Sequence, residues 1–338
     1  MTAVSRVAGK TLLLGYVGKG NLGDDLMVEA VAARLPEGSW EVVGGRTPVS
    51  KLVGKLLGAR RIIVCGGCVV TPRTGSYQRV LMLARLLRVR RLFYSIEISG
   101  WPKGRRGRFQ RLVMKGADIS ARTFESSAIC LKHMPTAEIV NVLDLFLLHP
   151  AFAELPQEGK TAQFGRFTFT AGSGQRRAIG RIVVLPRSFS ESAPYSQTLN
   201  VQRIVSEVSR VSQTAGTREV LVSPSANIDE VSAYASALAG KGYDLTVADK
   251  DAELFLSPED HVVTNRLHIG KSCAFYGVPH TLVSYDRKTE LPELIGSIGE
   301  ILQTSGARVP IQRIALRREE FCLRRRLSLS ILDKSLAR

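Results

Sequence analysis

Short β-branched or apolar runs alternate along this chain with longer amphipathic stretches, and this alternation constrains the fold more than any other feature. Strands that alternate with helices predict a parallel sheet covered by helices on both faces. Helical stretches are expected between most of the strands of the first half, for example at Asp25–Leu35, Tyr77–Leu87 and Arg105–Lys115. The strands expected there are Leu12–Val17, Trp40–Val43, Arg61–Cys65, Leu92–Ile96, Ile119–Arg122 and Ile139–Leu143.

A less regular region follows, from about Pro150 to Gly180, after which the alternation resumes. Helices are expected at Asn200–Thr214, Asp229–Lys241 and Ile269–Tyr276. Strands are expected at Arg181–Leu185, Val220–Ser223, Asp244–Val247, His261–Thr264 and Thr281–Ser284.

We therefore expect an α/β chain with two doubly wound Rossmann-like domains, over residues 1–150 and 151–310, and a basic amphipathic C-terminal helix over residues 311–338. Two such halves predict a GT-B-like arrangement in which the domains face a cleft. Open parallel sheets bind their ligands beyond the carboxyl ends of the strands, so the ligand is expected in that cleft.

The net charge of +17 favours an anionic partner, such as nucleic acid, an anionic bilayer surface or a small substrate with phosphate and carboxylate groups. No nucleic-acid-binding motif accompanies the charge, so nucleic acid is not expected. No apolar stretch is long enough to span a bilayer, and the N-terminus lacks the pattern of a signal peptide. Together with five cysteines, an odd number, these features predict a cytoplasmic protein with free thiols.

A glycine-rich turn, Gly18-Lys19-Gly20-Asn21-Leu22-Gly23-Asp24-Asp25, follows the first strand and contains G-x-G-x-x-G. In dinucleotide-binding domains such glycines let the backbone approach a pyrophosphate at a helix N-terminus. Here the second strand ends without the acid that holds a ribose, although Arg46 would suit a 2′-phosphate. The alternative is a tight strand-to-helix turn in which Asp24 or Asp25 caps the helix.

The most informative segment is Asn265-Arg266-Leu267-His268-Ile269-Gly270-Lys271-Ser272, between a predicted strand and a predicted helix. In extended chain, Arg266 and His268 would project to the same side. An arginine offers a planar fork to carboxylate or phosphate, and a histidine transfers protons near neutral pH. The alternative is that Arg266 pairs with a local acid while His268 caps the helix or packs.

Two other patterns are weaker. The C-x-x-C of Cys65-Gly66-Gly67-Cys68 could be redox-active or bind metal, but no second pair accompanies it, and a turn of small residues is favoured. The five histidines show no paired ligand spacing, so no metal is expected.

Several motifs resemble, in their order and wording, the polysaccharide pyruvyl transferase family over most of the chain. In chain order they are Asn21-Leu22-Gly23-Asp24, Gly66-Gly67, Asp144, Arg266-Leu267-His268, Gly277-Val278-Pro279 and Tyr285-Asp286-Arg287-Lys288. Three family features depart in the N-terminal half, where the acceptor would bind. They are a triple glycine, a glycine-rich strand end and R-D-x-x-S, replaced by Cys65-Gly66-Gly67-Cys68, Tyr94-Ser95-Ile96-Glu97-Ile98-Ser99-Gly100 and Arg122-Thr123-Phe124-Glu125-Ser126.

The resemblance implies transfer of a pyruvyl group from phosphoenolpyruvate to a sugar as a cyclic ketal, with no cofactor besides this donor substrate. It makes His268 the acid or base, Arg266 the anion ligand and Lys288 a second cation. Asp24 would be a base on a sugar hydroxyl or merely a helix cap. The other residues expected to bind substrate are Arg187, Arg122, Asn21, Gly20 and Gly23.

The acceptor implied is an exopolysaccharide or cell-wall glycan, as a lipid-linked precursor. The tail mixes Arg with Leu, Ile and Phe, which suits an anionic membrane surface and predicts peripheral attachment to the inner face of the cell membrane. The basic clusters Arg85–Arg91 and Lys103–Arg111 are interpreted as solvated helix faces. Two alternatives remain: a glycosyltransferase of the same fold that uses a nucleotide sugar, and a catalytically degenerate membrane-associated partner in glycan assembly.

Overall fold

The computed structural model describes residues 9–15, 17, 22–44, 47–71, 77–154, 156–172, 177–187, 196–224, 229–284, 299–302, 308–310 and 318–337, without the side chains of 49, 229–230, 299–302, 308–310 and 318–320. The chain forms two compact units, one of Met1–Ala153 with Cys322–Arg338 and one of Glu154–Phe321. The boundary thus falls a few residues after the position expected from the sequence. The tail, expected as a separate segment, is instead part of the first unit from Cys322 onward.

The first unit contains a parallel sheet with helices from the intervening segments. Its strands are β1 (Lys10–Leu14), β2 (Trp40–Val43), β3 (Ala59–Cys65), β4 (Cys68–Val70), β5 (Arg90–Ile98), β6 (Asp118–Ala121) and β7 (Ile139–Asn141). Its helices are α1 (Leu22–Ala32), α2 (Val49–Leu57), α3 (Gln78–Leu86), α4 (Gly104–Met114) and α5 (Phe124–His133), and two short 3-10 turns, Leu145–Leu148 and Pro150–Phe152, follow β7. The strand order is β2-β1-β3-β5-β6-β7, with β4 paired to β5.

The second unit begins with a hairpin of β8 (Thr161–Phe164) and β9 (Phe167–Thr170). Its main strands are β10 (Arg181–Leu185), β11 (Glu219–Val222), β12 (Asp244–Val247), β14 (Asp260–Thr264), β15 (His280–Val283), β16 (Gly299–Leu302) and β17 (Arg308–Pro310), while β13 (Leu254–Leu256) joins the hairpin. Its helices are α6 (Gln197–Ala215), α7 (Asp229–Ala239) and α8 (Leu267–Tyr276). The main sheet has the order β12-β11-β10-β14-β15-β16-β17 and is parallel except for β17.

The predicted fold class, an α/β chain with two doubly wound Rossmann-like domains of the GT-B-like type, is confirmed. Strands such as β3 and β10 are buried along most of their length, because helices cover both faces of a parallel sheet. Helices α2 and α5 lie between predicted strands, where helical stretches were expected without stated bounds, whereas the small sheet of β8, β9 and β13 was not predicted. The hairpin lies in the segment of weak periodicity, where a two-residue turn rather than a helix reverses the chain.

The last helix, α9 (Arg318–Ala337), packs on the first unit through main-chain and side-chain contacts. Ser328 provides two of these contacts, since its carbonyl accepts from the Tyr94 hydroxyl and its Oγ accepts from the Leu143 N–H at 3.0 Å. Leu332 is fully buried, and Asp333 forms an ion pair with Arg34. One face of the tail is therefore used for packing, through residues such as Phe321 and Leu332, while Leu323 and Leu327 on the same helix are exposed. None of the described helices is long and apolar enough to cross a bilayer.

A chain of polar contacts lies inside the second unit, between α6 and the sheet. The buried Glu207 carboxylate accepts from the Arg210 guanidinium, with Nη2 at 2.6 Å, and from the Thr281 hydroxyl at 2.9 Å. Thr281 Oγ1 lies 3.0 Å from Nε2 of His261. Because the hydroxyl hydrogen points to Glu207, this imidazole donates from Nε2. The carboxylate has a cation and a hydroxyl as partners, which offsets the cost of burying its charge.

Replacing Gly66 by alanine should lower the free energy of unfolding by about 2–3 kcal/mol. Gly66 has a φ of +66°, and an added Cβ would lie 2.4 Å from Met27 Sδ, so both the backbone and the packing resist a side chain. Gly38 is the matched control, since its φ is +72° and nothing lies within 4 Å of its Cβ position. Urea denaturation should give a smaller loss for Gly38→Ala. If Gly66→Ala and Gly38→Ala lowered the free energy of unfolding equally, the contact with Met27 would not contribute to the destabilisation.

Candidate functional site

The strongest candidate site lies at the carboxyl edge of the main sheet in the second unit. The strand order reverses direction between β10 and β14, which run in parallel with Leu185 opposite Thr264. In doubly wound sheets this switch point opens a crevice, because the connections on its two sides leave for opposite faces. Arg187 follows β10 and Arg266 follows β14, so the topology brings two predicted anion ligands to one place.

Asn265 holds the main chain of the loop that carries Arg187. Its buried amide accepts from the Arg187 N–H at 2.6 Å and donates to the Arg187 carbonyl at 3.3 Å. The Tyr234 hydroxyl, from α7, donates to the same carbonyl at 3.1 Å. The loop backbone is therefore held from two elements, while the Arg187 side chain is exposed at the edge.

Arg266 is held by a second set of contacts across the switch point. Thr264 Oγ1 donates to the Leu185 carbonyl at 2.6 Å and accepts from the Arg266 N–H at 3.0 Å. The Arg266 Nε donates to the Pro186 carbonyl at 2.9 Å. The guanidinium is thus oriented toward the β10 loop, and the half-buried side chain has less rotamer freedom to lose when it binds an anion.

Helix α8 begins at this edge, and the position of its first residue corrects the prediction that Arg266 and His268 lie in extended chain. Arg266 is the N-cap and His268 lies inside the first turn, so the two do not share extended chain and do not project to one side for that reason. The Arg266 side chain makes no capping hydrogen bond. The positive end of the helix dipole lies beside the two arginines, which favours an anion here. The half-buried His268 adds a ring that can donate a hydrogen bond or transfer a proton.

Three residues that contribute to this edge were not singled out from the sequence. Thr264 and Asn265 are fully buried and orient the two arginine loops, and Lys271 is a buried cation one turn into α8. Lys271 did leave a signal, since it is the one charged residue in the stretch Ile269–Tyr276. The roles of Thr264 and Asn265 depend on contacts with residues 78 or 79 positions away, which no local pattern shows.

In the first unit the predicted site residues lie partly at its own switch point, between β1 and β3. Gly23 is buried within α1, and Asp24 is half-buried in the first turn of this helix. The predicted cap is therefore corrected: α1 begins at Leu22, so Asp24 and Asp25 interact with the helix dipole from inside the first turn. An added Cβ at Gly67 would lie 3.9 Å from Asp24 Oδ1, which places that carboxylate over the turn after β3.

Arg122 has a different environment from the one expected. Its side chain is only 6% exposed, and its guanidinium pairs with the buried carboxylates of Glu97 and Asp144, with Nη1 3.1 Å from Asp144 Oδ2. It is neither a solvent-facing arginine nor a cation open to a ligand, because two carboxylates already neutralise it. The predicted substrate-binding role is therefore corrected to that of the cation in a buried ion cluster.

The Cys65-Gly66-Gly67-Cys68 segment is a turn of small residues between β3 and β4, with positive φ at both glycines. Burial raises the pKa of the Cys65 thiol to about 12, so this thiol does not ionise near neutral pH. Among the described residues, no group of three His, Cys, Asp or Glu is arranged to hold a metal ion.

Ser95, within β5, combines an unusual backbone conformation with two buried hydrogen bonds. Its φ is 54°, a conformation that favours glycine. Its Oγ donates to the Leu143 carbonyl at 2.9 Å and accepts from the Leu145 N–H at 2.8 Å. These buried hydrogen bonds offset the backbone strain. Lys288, Asn21 and Gly20, which were also predicted for the site, lie outside the described residues.

No protein-family model matches the sequence, and a comparison with curated proteins finds no match. Among solved structures, MnaA of S. aureus with UDP matches with 10% identity and a TM-score of 0.48, covering 83% of this chain and 81% of that one. The UDP-GlcNAc 2-epimerase of Neisseria meningitidis bound to UDP-GlcNAc matches with 8% identity and 0.47, covering 97% and 99%. MurG of Acinetobacter baumannii matches with 12% identity and 0.43, covering 96% and 98%.

These matches contradict the predicted enzyme class. Two of the three structures are named with UDP or UDP-GlcNAc, and none of the three is named as a pyruvyl transferase. The prediction of a phosphoenolpyruvate-dependent pyruvyl transferase is therefore wrong by this comparison, and phosphoenolpyruvate as donor is not supported. The similarity itself concerns the fold alone, since identities are low and every TM-score is below 0.5. A functional proposal must rest on the chain's own geometry.

Proposed function

We propose that the chain is a nucleotide-sugar-dependent glycosyltransferase, with the donor's diphosphate bound at the carboxyl edge of the second unit and a glycan as acceptor. One observation carries this proposal: Arg187 and Arg266 flank the switch point between β10 and β14, on loops that Asn265 and Thr264 hold in place. A diphosphate is a small polyanion, and two guanidinium groups beside the start of a helix match it in charge and in hydrogen-bond donors.

The same groups would serve the transfer step. When the bond between the anomeric carbon and the diphosphate oxygen breaks, negative charge accumulates on the departing diphosphate. Fixed cations and helix N–H groups stabilise that charge more strongly in the transition state than in the bound donor, and this difference lowers the barrier. His268 in the first turn of α8 would donate a hydrogen bond to the phosphate or a proton to the leaving oxygen.

Removing one guanidinium should weaken donor binding. We expect Arg266→Ala to raise the Kd for UDP-GlcNAc, the ligand of the N. meningitidis structure, by about 10- to 100-fold, because charge-assisted hydrogen bonds contribute about 1.5–3 kcal/mol. Isothermal titration calorimetry measures this change. The matched control is Arg218→Ala, since Arg218 belongs to the same unit but precedes β11 at the opposite edge of the same sheet. Its Kd should equal that of the wild type.

The donor need not be UDP-GlcNAc, so the melting temperature is measured with a panel of nucleoside diphosphate sugars that carry different bases. A ligand that binds only the folded state raises this temperature. Inorganic pyrophosphate, phosphoenolpyruvate and buffer alone complete the panel. Stabilisation by phosphoenolpyruvate but by no nucleotide sugar would overturn the proposal. The absence of stabilisation by every ligand would favour the degenerate partner instead.

A further inference from the structure

The positive charge of this chain is concentrated in one segment of the first unit. From Val42 to Ala117 the sequence contains a single acidic residue, Glu97, among many arginines and lysines. Glu97 is buried and paired with Arg122, so it does not offset the charge on the surface. The segment includes α2, α3 and α4, and it contains the basic clusters Arg85–Arg91 and Lys103–Arg111, which were interpreted from the sequence as solvated helix faces.

The structure shows that these helices expose apolar side chains as well as basic ones. Leu57 on α2 is 70% exposed, Leu86 on α3 is 69% exposed, and on α4 Leu112 is 43% and Phe109 is 36% exposed. We call the outward surface of α2, α3 and α4 the basic helical face. Its exposed basic residues are Lys51, Arg79, Arg88, Lys103, Arg105, Arg106, Arg108, Arg111 and Lys115.

On α4 the two kinds of residue share one stripe. Arg105, Arg108, Phe109 and Leu112 follow helical spacings of three and four residues, so they lie along one side of the helix, and Lys115 follows just beyond its end. The opposite side, with Gly107, Gln110, Val113 and Met114, is buried. The helix therefore presents a mixed basic and apolar surface outward, while its other side is used by the core.

The helices of this face are held together as one surface. Gln78 Nε2 donates to Gln110 Oε1 at 2.8 Å, joining α3 to α4 near the start of α3. At the other end, Arg85 Nη1 donates to the Lys115 carbonyl at 2.6 Å. Leu57, Leu86 and Leu112 each lie at or near the C-terminal end of their helix, and each helix precedes a strand of the same parallel sheet. The three leucines are thus displayed toward the same edge of that sheet.

We infer that the basic helical face docks on an anionic lipid bilayer, with Leu57, Leu86, Phe109 and Leu112 in the interface and the arginines at the lipid headgroups. Apolar side chains gain free energy when they leave water for the acyl boundary, and each basic residue near an anionic surface adds to the attraction. This inference is independent of the proposed function. It also moves the membrane contact from the tail to α2, α3 and α4.

A nucleic acid would satisfy the charge but not the leucines. Phosphate contacts are made by arginine and lysine, and exposed leucines would remain in water or face a charged backbone. The exposed apolar residues of the basic helical face therefore favour a bilayer.

The test is flotation of the full chain with vesicles of phosphatidylcholine, alone or mixed with phosphatidylglycerol, at low and high salt. We expect flotation with the anionic vesicles that decreases as salt rises. The double variant Arg105→Glu/Arg108→Glu should lower the partition coefficient at least about tenfold. The double variant Leu86→Ser/Leu112→Ser should lower the partition coefficient by about tenfold at both salt concentrations, because the two leucines contribute through the hydrophobic effect, which salt does not screen.

Matched controls come from α9, where Arg324 and Arg326 are exposed, as are Leu323 and Leu327. Arg324→Glu/Arg326→Glu makes the same charge change and should float as the wild type does, and so should Leu323→Ser/Leu327→Ser. Unchanged melting temperatures exclude misfolding. The inference fails if the wild type does not float with anionic vesicles, or if only the α9 variants lose flotation. Tight binding to duplex DNA or RNA in a gel shift, without flotation, would replace the bilayer by a nucleic acid.

Discussion

Replacing Arg122 by methionine should lower the free energy of unfolding by about 3–5 kcal/mol, because it leaves two buried carboxylates without their cation. Glu97 and Asp144 are nearly inaccessible to water, and both pair with the Arg122 guanidinium. Asp144 is also held in place, since its Oδ1 accepts from the Phe146 N–H at 3.2 Å and caps a 3-10 turn. The carboxylates therefore cannot move out to solvent without disturbing the sheet edge.

Chemical denaturation would measure this loss. Arg111→Met, on the exposed side of α4, makes the same chemical change outside the cluster and should cost less than about 0.5 kcal/mol. The triple variant Arg122→Met/Glu97→Gln/Asp144→Asn removes all three charges and should be more stable than Arg122→Met alone, since no uncompensated charge remains. If the single and triple variants were equally stable, the electrostatic explanation would be wrong. If a folded Arg122→Lys variant bound anions as the wild type does, this would show that Arg122 does not take part in ligand binding.

Acidification should destabilise the protein through His280, by about 3 kcal/mol between pH 6.5 and pH 4. His280 is fully buried, and its Nδ1 donates to the Val278 carbonyl at 3.0 Å. Burial lowers the pKa of His280 to about 4. In the unfolded chain a histidine binds its proton near pH 6.5, so between pH 6.5 and pH 4 the unfolded state holds more protons than the folded state. Stability from this residue is complete above pH 6.5 and falls as the pH decreases.

A neighbouring histidine acts in the same direction. Burial, and then the proximity of His280, lowers the pKa of His261 to about 3, although Glu207 opposes this shift. Because carboxylates also titrate in this range, the decisive quantity is the difference between wild type and His280→Asn, which keeps a donor near Nδ1. The free energy of unfolding should depend less steeply on pH in the variant, by about 1.4 kcal/mol per pH unit. Parallel curves would show that His280 is already charged in the folded state.

Hydrophobic periodicity was enough to predict most of the strands and helices. The strand β10 could be predicted because Ile182, Val183, Val184 and Leu185 are all apolar, and the structure shows all four buried. The spacing of apolar residues predicted α6 and α8 in the same way. Periodicity failed where burial is irregular. In the segment that forms β8 and β9, a turn at Gly165 and Arg166 interrupts the pattern before it can be recognised.

For the candidate site, residue types and their positions along the chain predicted some of the residues but not how these residues are arranged. Arg266 and His268 stand out because they follow a strand and precede a helix, which is where parallel sheets place ligands. The order of strands is not readable in the same way. Only the pairing of β10 with β14 shows that Arg187 and Arg266 lie on two sides of one switch point, and that Asn265 joins their loops.

Arg122 and the last helix show most clearly which features the sequence predicts and which depend on the tertiary structure. Local composition indicates that an arginine follows a strand and that a basic amphipathic helix ends the chain, since both features depend on neighbours in sequence. Their partners are distant: Arg122 contacts Glu97 and Asp144, and α9 returns to Tyr94 and Leu143. Periodicity reports how strongly each segment prefers burial, whereas the identity of the surface that buries it depends on how the whole chain packs. Most of the helices and strands could thus be predicted from the sequence, while the ion cluster, the ligand edge and the exposed basic face depend on how those elements pack together.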